Sequence, residues 1–429
     1  MNVRGHHVPF PVLVVSATLA ASLFGDSMLY AVMPSRPSDW GLSVGLVGVL
    51  LSANRLVRLL SNTFAAHLFE RLGGRLPFAA AMVLAVATTL TYGWATAFWL
   101  LLLARLAWGV SWSVLRLGAY WTVLDEATDA NRGFLMGIYT AVARTGSVVG
   151  VVAGGILADS IGHDWTLTIF AAATALGGLA WYLSTRSQPI RSHAQSASRG
   201  NARGGLRLVL RDRRLLMVGL GGLTGMLVFS GLLTASLGFY LRQRYGDEVA
   251  VLGIVIGVAS FTGIALGARF TIDFFVGPFA GHLSDRRGRM SVTLTAFALG
   301  SAGLLLLATT PPLGLVILAV ALAFLSSTAL VVLLDARAGD LAPPARRSAV
   351  MSAYATFLDV GAALGPLVGL SVGTLGALRG AYVGGAVLLL VVAIGYRVLM
   401  TGATQRRVEE LAPEPAAVPG ISDGPAGLG

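Results

Sequence analysis

The chain matches itself at an offset of 215 residues, inside an almost continuous series of apolar segments. Residues 66–73 recur as residues 281–288, and residues 132–139 recur as residues 347–354. Unrelated apolar segments do not keep one register over such a distance, so we infer a duplicated chain with two homologous halves.

Glycines repeat at the same offset. Gly146, Gly150 and Gly154 recur as Gly361, Gly365 and Gly369. In the second set a proline, Pro366, directly follows Gly365. Small residues spaced four apart let two membrane helices approach closely, because they remove the side chains that keep backbones apart. We therefore predict that these glycines form a helix-packing motif in each half.

Composition indicates a membrane protein. Of 429 residues, 55% are hydrophobic and 12% are charged, whereas a soluble domain carries about twice that charged fraction. Many apolar segments exceed the length needed to cross a hydrocarbon core of roughly 30 Å. The chain has no cysteine and no lysine, which excludes disulfides, thiolate metal sites and Schiff-base chemistry.

We predict an all-α integral membrane protein with twelve transmembrane helices in two six-helix bundles related by a pseudo-two-fold axis. The expected domains are residues 1–184, a cytoplasmic linker at 185–213, residues 214–400 and a disordered tail at 401–429. Residues 206–211 form either a short basic surface helix or, as we prefer, part of a solvated connector. The twelve predicted helices are 10–34, 42–66, 77–96, 98–122, 134–157, 165–184, 214–241, 250–276, 291–310, 313–336, 348–371 and 380–400.

Arginines in the predicted loops indicate the orientation. Most of them fall on the side that holds both termini, which the positive-inside rule assigns to the cytoplasm. Eleven helices would invert half of these loops. The net charge of +11 is therefore attributed to topology rather than to nucleic-acid binding. We expect a bacterial inner-membrane protein that acts as a monomer and keeps its first helix.

The loop between the eighth and ninth predicted helices follows the pattern G-x-L-x-D-R-x-G-R. Its defining residues are Gly281, Asp285, Arg286, Gly288 and Arg289. This pattern resembles the loop signature of the major facilitator superfamily. The resemblance implies a clasp between the halves at the cytoplasmic face, and Gly288 predicts a turn with positive φ. In the first half Glu70 and Arg71 occupy the corresponding loop, and Ala66 replaces the glycine, so a weaker clasp is expected there.

Three further features are similar to motifs or residues of that superfamily. Leu101-x3-Arg105-x2-Trp108-Gly109 resembles its fourth-helix motif, in which an arginine is linked to proton coupling. The repeated glycines resemble its antiporter motif. Asp26, followed by Pro34, is similar to the acidic residue of drug–proton antiporters.

Ionisable residues inside predicted membrane helices mark candidate sites, because each costs about 3 kcal/mol or more unless it meets water or a partner. The resemblance implies that helices 1, 4, 7 and 10 line a cavity, while helices 2 and 11, and 5 and 8, meet across the halves. We assign proton coupling to Asp26 and Arg105. The predicted substrate cavity is lined by Asp26, Tyr30, Arg55, Arg58, Arg105, Trp112 and Arg116.

Charged residues on the helices that meet across the halves suggest a gate. Arg55 and Asp359 lie at similar depth and are expected to pair as a gate or as a structural ion pair. Arg269 and Asp273 are four residues apart, which favours a local pair. Arg144 is the symmetry mate of Asp359 and carries the opposite charge, so the two positions have diverged.

These patterns predict a secondary transporter without cofactor or metal. The preferred hypothesis is a proton-coupled exporter of a small organic compound. The first half places five arginines against one aspartate inside the membrane, which favours an anionic or amphiphilic substrate. An importer of organic anions on the same fold is the main alternative. A non-transporting receptor is a weaker one, and an enzyme the weakest, because no nucleophile or metal set is found.

Overall fold

The computed structural model describes residues 2–3, 6–128, 131–185, 202–251, 253–371 and 373–411. Apart from two small hairpins, the elements are helices. The first half comprises β1 (Asn2–Val3), β2 (His6–His7), α1 (Phe10–Val32), α2 (Val44–Leu72), α3 (Arg75–Trp94), α4 (Phe98–Glu126), α5 (Arg132–Ile161) and α6 (His163–Ser184). The second half comprises α7 (Ala202–Arg211), α8 (Arg213–Tyr245), β3 (Glu248–Val251), β4 (Ile254–Gly257), α9 (Val258–Arg287), α10 (Arg289–Ala308), α11 (Leu313–Leu341), α12 (Arg347–Leu370) and α13 (Leu375–Leu411).

The membrane-spanning helices confirm the predicted fold class. Eleven described helices are long and apolar enough to cross a membrane, and twelve are present when the two segments of α9, bent by 41°, count as one span. Pro278 lies inside α9, where its ring opposes the carbonyl four residues earlier. Many large apolar side chains stay exposed on the outer surface of the bundles, as expected for helices that face lipid.

The two halves meet along the helix pairs that the resemblance implied. Helix α2 packs on α12, and α5 packs on α9. Within the halves, α1 packs on α5 and α6, and α8 packs on α12 and α13. The interface between the halves therefore surrounds the inner faces of α1, α2, α5, α8, α9 and α12.

The repeated glycines bring the first helix of each half against the fifth. A Cβ on Gly150 would lie 2.6 Å from the carbonyl oxygen of Phe24, and one on Gly365 would collide with the carbonyl of Leu227. Gly146, Gly154, Gly361 and Gly369 make similarly close contacts with α1 or α8. The glycines thus act as the predicted packing motif in both halves.

Two segments differ from the predicted helices. Helix α8 is longer than expected and contains a π-helical stretch over Met226–Leu233. The segment before α9 forms the antiparallel hairpin β3–β4 rather than the start of a helix at residue 250. Apolar β-branched residues such as Val251, Ile254 and Val255 suit both a membrane helix and a strand, which explains the wrong boundary.

The connector between the halves is partly a packed helix. Residues 186–201 of the predicted linker lie outside the described residues, but α7 follows them and docks on α12. Val209 of α7 is buried in a small apolar cluster with Val350 and Ala353. The preferred sequence interpretation, a solvated connector, is therefore wrong for α7. At the other end α13 continues to Leu411, beyond the predicted tail boundary, and residues 412–429 lie outside the described residues.

Candidate functional site

An ion pair between Asp26 and Arg105 lies inside the first half, where the sequence predicted a shared site. Arg105 Nη1 of α4 is 2.6 Å from Asp26 Oδ1 of α1, and Arg105 is completely buried. Arg105 Nε also donates to the carbonyl oxygen of Leu50 on α2 at 3.2 Å. Its guanidinium lies near the rings of Tyr30 and Tyr92, at 5.9 and 5.6 Å from their centroids. Each charge therefore offsets the cost of burying the other.

Asn54 on α2 connects this ion pair to Arg58. Its amide Nδ2 donates to Asp26 Oδ1 at 3.0 Å, and its Oδ1 accepts from Arg58 Nε and Nη2 at 3.3 and 3.1 Å. A carboxylate only accepts and a guanidinium only donates, so these two partners fix the orientation of the amide. Arg58 in turn lies 5.7 Å from the ring centroid of Trp112 on α4.

Arg55 on α2 reaches across to the second half. It donates to the Tyr30 hydroxyl at 3.3 Å, to Ser230 Oγ on α8 at 3.5 Å and to the Ala362 carbonyl on α12 at 3.2 Å. Arg55 is therefore shared between the halves in this conformation. Asp359 lines the same cavity, but these bonds, rather than a salt bridge to Asp359, hold the guanidinium.

These side chains face a cavity of about 460 Å³ between the halves. Four arginines and three aspartates line it, together with aromatic and small polar side chains. The charged residues are Arg55, Arg58, Arg144 and Arg269, and Asp26, Asp273 and Asp359. Tyr30 and Trp112 are also in the wall, whereas Arg105 is buried behind Asp26 and contributes only through it.

On the side of the cavity formed by the second half, one predicted ion pair, Arg269 with Asp273, is replaced by contacts to other helices. Arg269 donates to the Thr234 hydroxyl at 2.9 Å, while Asp273 accepts from the Thr328 hydroxyl and lies 4.0 Å from Arg144 Nη1. The local pair of Arg269 and Asp273 is therefore not formed, because each side chain finds a partner on another helix. The contact between Arg144 and Asp273 joins α5 to α9 and so connects the halves.

Arg116 does not line this cavity, contrary to the predicted arginine stripe on α4. It is exposed in a separate pocket near Tyr120 and Tyr139, and it donates to Asn62 Oδ1 at 3.4 Å. Trp112 lies one helical turn before Arg116 and reaches the main cavity. Arg116 lies one turn further toward the C-terminal end of α4, beyond the residues of this helix that line the cavity.

The outer face, which holds the loops without arginine clusters, is closed by contacts between the halves. Asp159 near the end of α5 accepts from the Ser260 amide at 2.7 Å and from Ser260 Oγ at 2.6 Å. Its other oxygen is 2.6 Å from Arg36 Nη2. Close by, Gly238 of α8 lies against Ala31 and Ser35. The cavity lining lies on the other side of these contacts and extends to Tyr139 and Thr140 near the start of α5, toward the opposite, Arg-rich face.

Comparison with known proteins decides the family. The model described as Major Facilitator Superfamily matches residues 15–274 and 260–422, which together span most of the chain. The chain belongs to the Major Facilitator Superfamily. It is therefore a membrane transporter and not an enzyme, as its sequence predicted.

Relatives of this superfamily transporter include drug-resistance proteins. It is 28% identical to a chloramphenicol resistance protein of Streptomyces lividans over 416 residues, covering 92% of this chain and 98% of the relative. It is 21% identical to multidrug resistance protein 1 of Bacillus subtilis strain 168, covering 60% of this chain and 66% of the relative.

Solved superfamily structures share its fold. A bacterial homologue of the human lysosomal transporter Spinster, in an inward-facing and unoccupied conformation, aligns with a TM-score of 0.73 at 16% identity, covering 94% of this chain and 98% of that one. The nucleoside transporter NupG, as a D323A mutant, aligns with a TM-score of 0.73 at 14% identity, covering 90% and 98%.

The superfamily loop motif of this transporter is assembled within the second half. Arg289 contacts Asp340 at the end of α11 and lies 3.8 Å from Asp285. Gly288 has the predicted positive φ, of 86°. Asp285 and Arg286, and Glu70 and Arg71 in the first-half loop, are exposed. Arg289 and Asp285 thus hold α9, α10 and α11 together in this conformation, and the expected clasp between the halves is not formed by this pair.

Sequence reasoning missed two features of the transporter site. Asn54 was overlooked because it is uncharged, although it lies one residue before Arg55 and one helical turn before Arg58. Asp159 was overlooked because it follows the predicted end of its helix at residue 157, where polar residues are common. Ser260 was overlooked because the predicted helix 250–276 placed it in the interior, whereas the observed helix begins at Val258. A search for uncharged polar residues on the arginine-bearing face of α2 finds Asn54 from sequence alone.

Proposed function

We propose that this transporter exports a small organic compound, anionic or amphiphilic, in exchange for protons by alternating access. The observation that carries this proposal is the buried Asp26–Arg105 pair, in which Asp26 forms part of the wall of a cavity between the halves and Arg105 lies behind it. The cavity is closed at one membrane face, so a solute inside it has access to one side only. Rocking of the halves exposes the same site to the other side.

Asp26 is the proposed proton carrier. Its carboxylate is nearly buried but still reaches the cavity, so protons from the aqueous cavity have access to it. Protonation removes the negative charge that offsets Arg105. The charge state of Asp26 therefore changes the stability of the whole α1–α2–α4 contact, which is what coupling between proton and substrate requires.

Arg55 and Arg58 are the proposed substrate ligands. Both line the cavity, and the bonds that hold them come from neutral groups: Asn54, Tyr30, Ser230 and a backbone carbonyl. Each guanidinium therefore retains positive charge for a carboxylate, a phosphate or another strong acceptor. The rings of Tyr30 and Trp112 beside them suit an aromatic or amphiphilic body.

Similarity to proteins named for chloramphenicol resistance and multidrug resistance supports export, because resistance by transport requires removal of the compound from the cell. We assign the Arg-rich face to the cytoplasm by the positive-inside rule. Both termini then lie inside a bacterial inner membrane, and the described cavity opens to the cytoplasm.

Reconstituted vesicles that enclose a pH-sensitive dye test this proposal. Chloramphenicol, salicylate and ethidium serve as neutral, anionic and cationic probes, each added to vesicles with an acidic interior. We expect salicylate or chloramphenicol to enter while protons leave, with no response from protein-free vesicles. The proposal would be contradicted if the probes that enter the protein-containing vesicles do so without any change in the internal pH reported by the dye.

Import of an organic anion together with protons is the second candidate. One observation favours it: protonation of Asp26 would raise the positive charge near Arg55 and Arg58 and so attract an anion. The same vesicles separate the two mechanisms, because symport moves protons in the direction of salicylate, whereas exchange moves them in the opposite direction.

A further inference from the structure

Asn54 holds the substrate-facing Arg58 and the proton carrier Asp26 in one chain of hydrogen bonds. Asn54 Nδ2 and Arg105 Nη1 both donate to the same oxygen, Asp26 Oδ1, at 3.0 and 2.6 Å. The other end of the amide accepts two bonds from Arg58. Asn54 is completely buried, so water does not compete for these bonds.

We propose that Asn54 is a positioning residue that couples the protonation of Asp26 to the placement of Arg58. The proposal rests on the function proposed above, because it assumes that Asp26 carries the proton. An ionised Asp26 polarises the Asn54 amide, and a polarised amide oxygen accepts more strongly from Arg58. Binding of a proton at Asp26 forms one O–H bond and removes this polarisation, so Arg58 is released from its position.

The backbone around Asn54 is fixed, so only its side chain is free to respond. Helix α2 packs so closely on α4 that a Cβ on Gly109 would lie 2.7 Å from the Asn54 carbonyl oxygen. Leu50, one turn earlier on α2, accepts from Arg105. The glycine of the fourth-helix motif therefore lets α2 lie close to α4, the helix whose Arg105 binds Asp26 together with Asn54.

The direct field of Asp26 acts on the same site with the opposite sign. When Asp26 is protonated its negative charge is lost, so the surrounding arginines make the cavity more positive and strengthen the binding of an anion. The relay through Asn54 weakens it, because Arg58 loses its position. Other charged and titratable groups in the cavity wall are Tyr30, Arg55, Arg144, Arg269, Asp273 and Asp359. Tyr92 and Arg105 lie behind Asp26, and Arg116 acts on Arg58 only through its charge, from the separate pocket.

The test compares salicylate binding with salicylate transport in three reconstituted variants. Asn54→Leu removes both ends of the relay, and Asn54→Asp keeps an acceptor for Arg58 but no donor for ionised Asp26. Asn62→Leu is the matched control, since Asn62 lies two turns further along α2 and contacts only the separate Arg116 pocket. Thermal unfolding of each variant shows whether the protein is folded.

We expect wild-type protein and Asn62→Leu to bind salicylate more weakly as the pH falls, and both to accumulate it against a proton gradient. In Asn54→Leu and Asn54→Asp we expect gradient-driven accumulation to fall at least tenfold, consistent with the loss of a charge-assisted hydrogen bond. Salicylate–salicylate exchange without a gradient should persist. In Asn54→Leu the pH dependence of salicylate binding should reverse, because only the direct field of Asp26 remains and binding then tightens as the pH falls.

Two results overturn the inference while leaving the proposed function intact. One is full gradient-driven accumulation in both Asn54 variants. The other is tighter salicylate binding at low pH in wild type with the same slope in Asn54→Leu, which means that the direct field alone sets the coupling. If wild-type protein shows no proton coupling at all, the proposed function itself fails, and this outcome is distinguishable because it does not involve Asn54.

Discussion

Asp159 on α5 caps the first turn of α9 from the opposite half of the molecule. Its carboxylate accepts the Ser260 amide at 2.7 Å, while its other oxygen binds Arg36. An anion at a helix N-terminus is stabilised by the unpaired amides and by the helix dipole. Because the cap and the helix belong to different halves, the outer face opens only when this cap is lost.

Removal of this charge should favour the outward-open state. We expect Asp159→Asn to weaken both the Arg36 pair and the Ser260 cap, with a cost to the closed state of about 1–3 kcal/mol. The chain lacks cysteine, so Thr234→Cys places a single thiol in the cavity wall. Labelling by a membrane-impermeant maleimide from the outer face should rise several-fold. Asp164→Asn, at the start of α6, serves as the control, and equal labelling of the two variants would refute the cap.

Loss of the Asp26 charge should separate binding from coupling. Asp26→Asn retains the shape of the side chain and an acceptor for Arg105 but has the charge of the protonated carboxyl, so we expect it to bind salicylate as wild type does at low pH and without dependence on pH. Gradient-driven flux should be abolished, because no proton binds to the amide. The measurement is the dye response of reconstituted vesicles together with binding by thermal shift. Unchanged coupled flux removes Asp26 from the mechanism.

Arg58 should make the cavity bind anions more tightly than cations. Arg58→Gln removes a guanidinium that lines the cavity and, among the described residues, is held by Asn54 and the Trp112 ring. We expect salicylate affinity to fall about 10–100-fold, the effect of one lost charge-assisted bond, with little change for ethidium. Arg116→Gln, outside the main cavity, is the matched control. Comparable losses in both variants would point to a general electrostatic effect.

Arg55 and Asp359 remain the predicted gate, although they do not pair in this conformation. If they meet when the halves rock, neutralising either one should slow transport, and exchange of the two charges should restore much of the lost rate. The bonds from Arg55 to Ser230 and Ala362 are absent from such an exchanged variant, so complete recovery is not expected. If the variant with the two charges swapped transports no faster than Arg55→Gln, Arg55 and Asp359 do not form the gate pair.

The glycine packing can be tested by stability. Gly365→Val would force a side chain into the backbone of α8, and we expect a loss of about 3 kcal/mol or more in the free energy of unfolding. Gly384→Val in α13 is the control, because the structure places no atom within 4 Å of a Cβ there. Thermal unfolding in detergent compares the two, and a similar melting temperature would show that α8 and α12 separate without cost.

Much of the fold was predictable because two independent signals coincide, the length of the apolar segments and the repeat at one offset. The meeting of Asp26 with Arg105 was predictable too, since buried charges of opposite sign on adjacent helices require partners. The rotation of each helix was not, so Arg116 was placed in the cavity and Arg269 beside Asp273. An uncharged residue such as Asn54 was not predictable in this way, because it lacks the large cost of burying a charge in the membrane that singles out Asp26 and Arg105 in the sequence.

The hairpin β3–β4 lies where the two halves differ in length, so the chain changed in length there after the duplication. Gly150 meets Phe24, and Gly365 meets Leu227, so the first helices of the halves align at an offset of 203, twelve less than the offset of 215 that aligns the loop motifs. The twelve additional residues fall between α8 and α9, where the second half carries the end of a longer helix and the hairpin. Its exposed Ile254 and Val255 belong to a segment that has no counterpart in the described part of the first half. An epitope tag inserted between the strands would leave the duplicated helices unchanged, and antibody binding to intact cells would show which membrane face carries the hairpin.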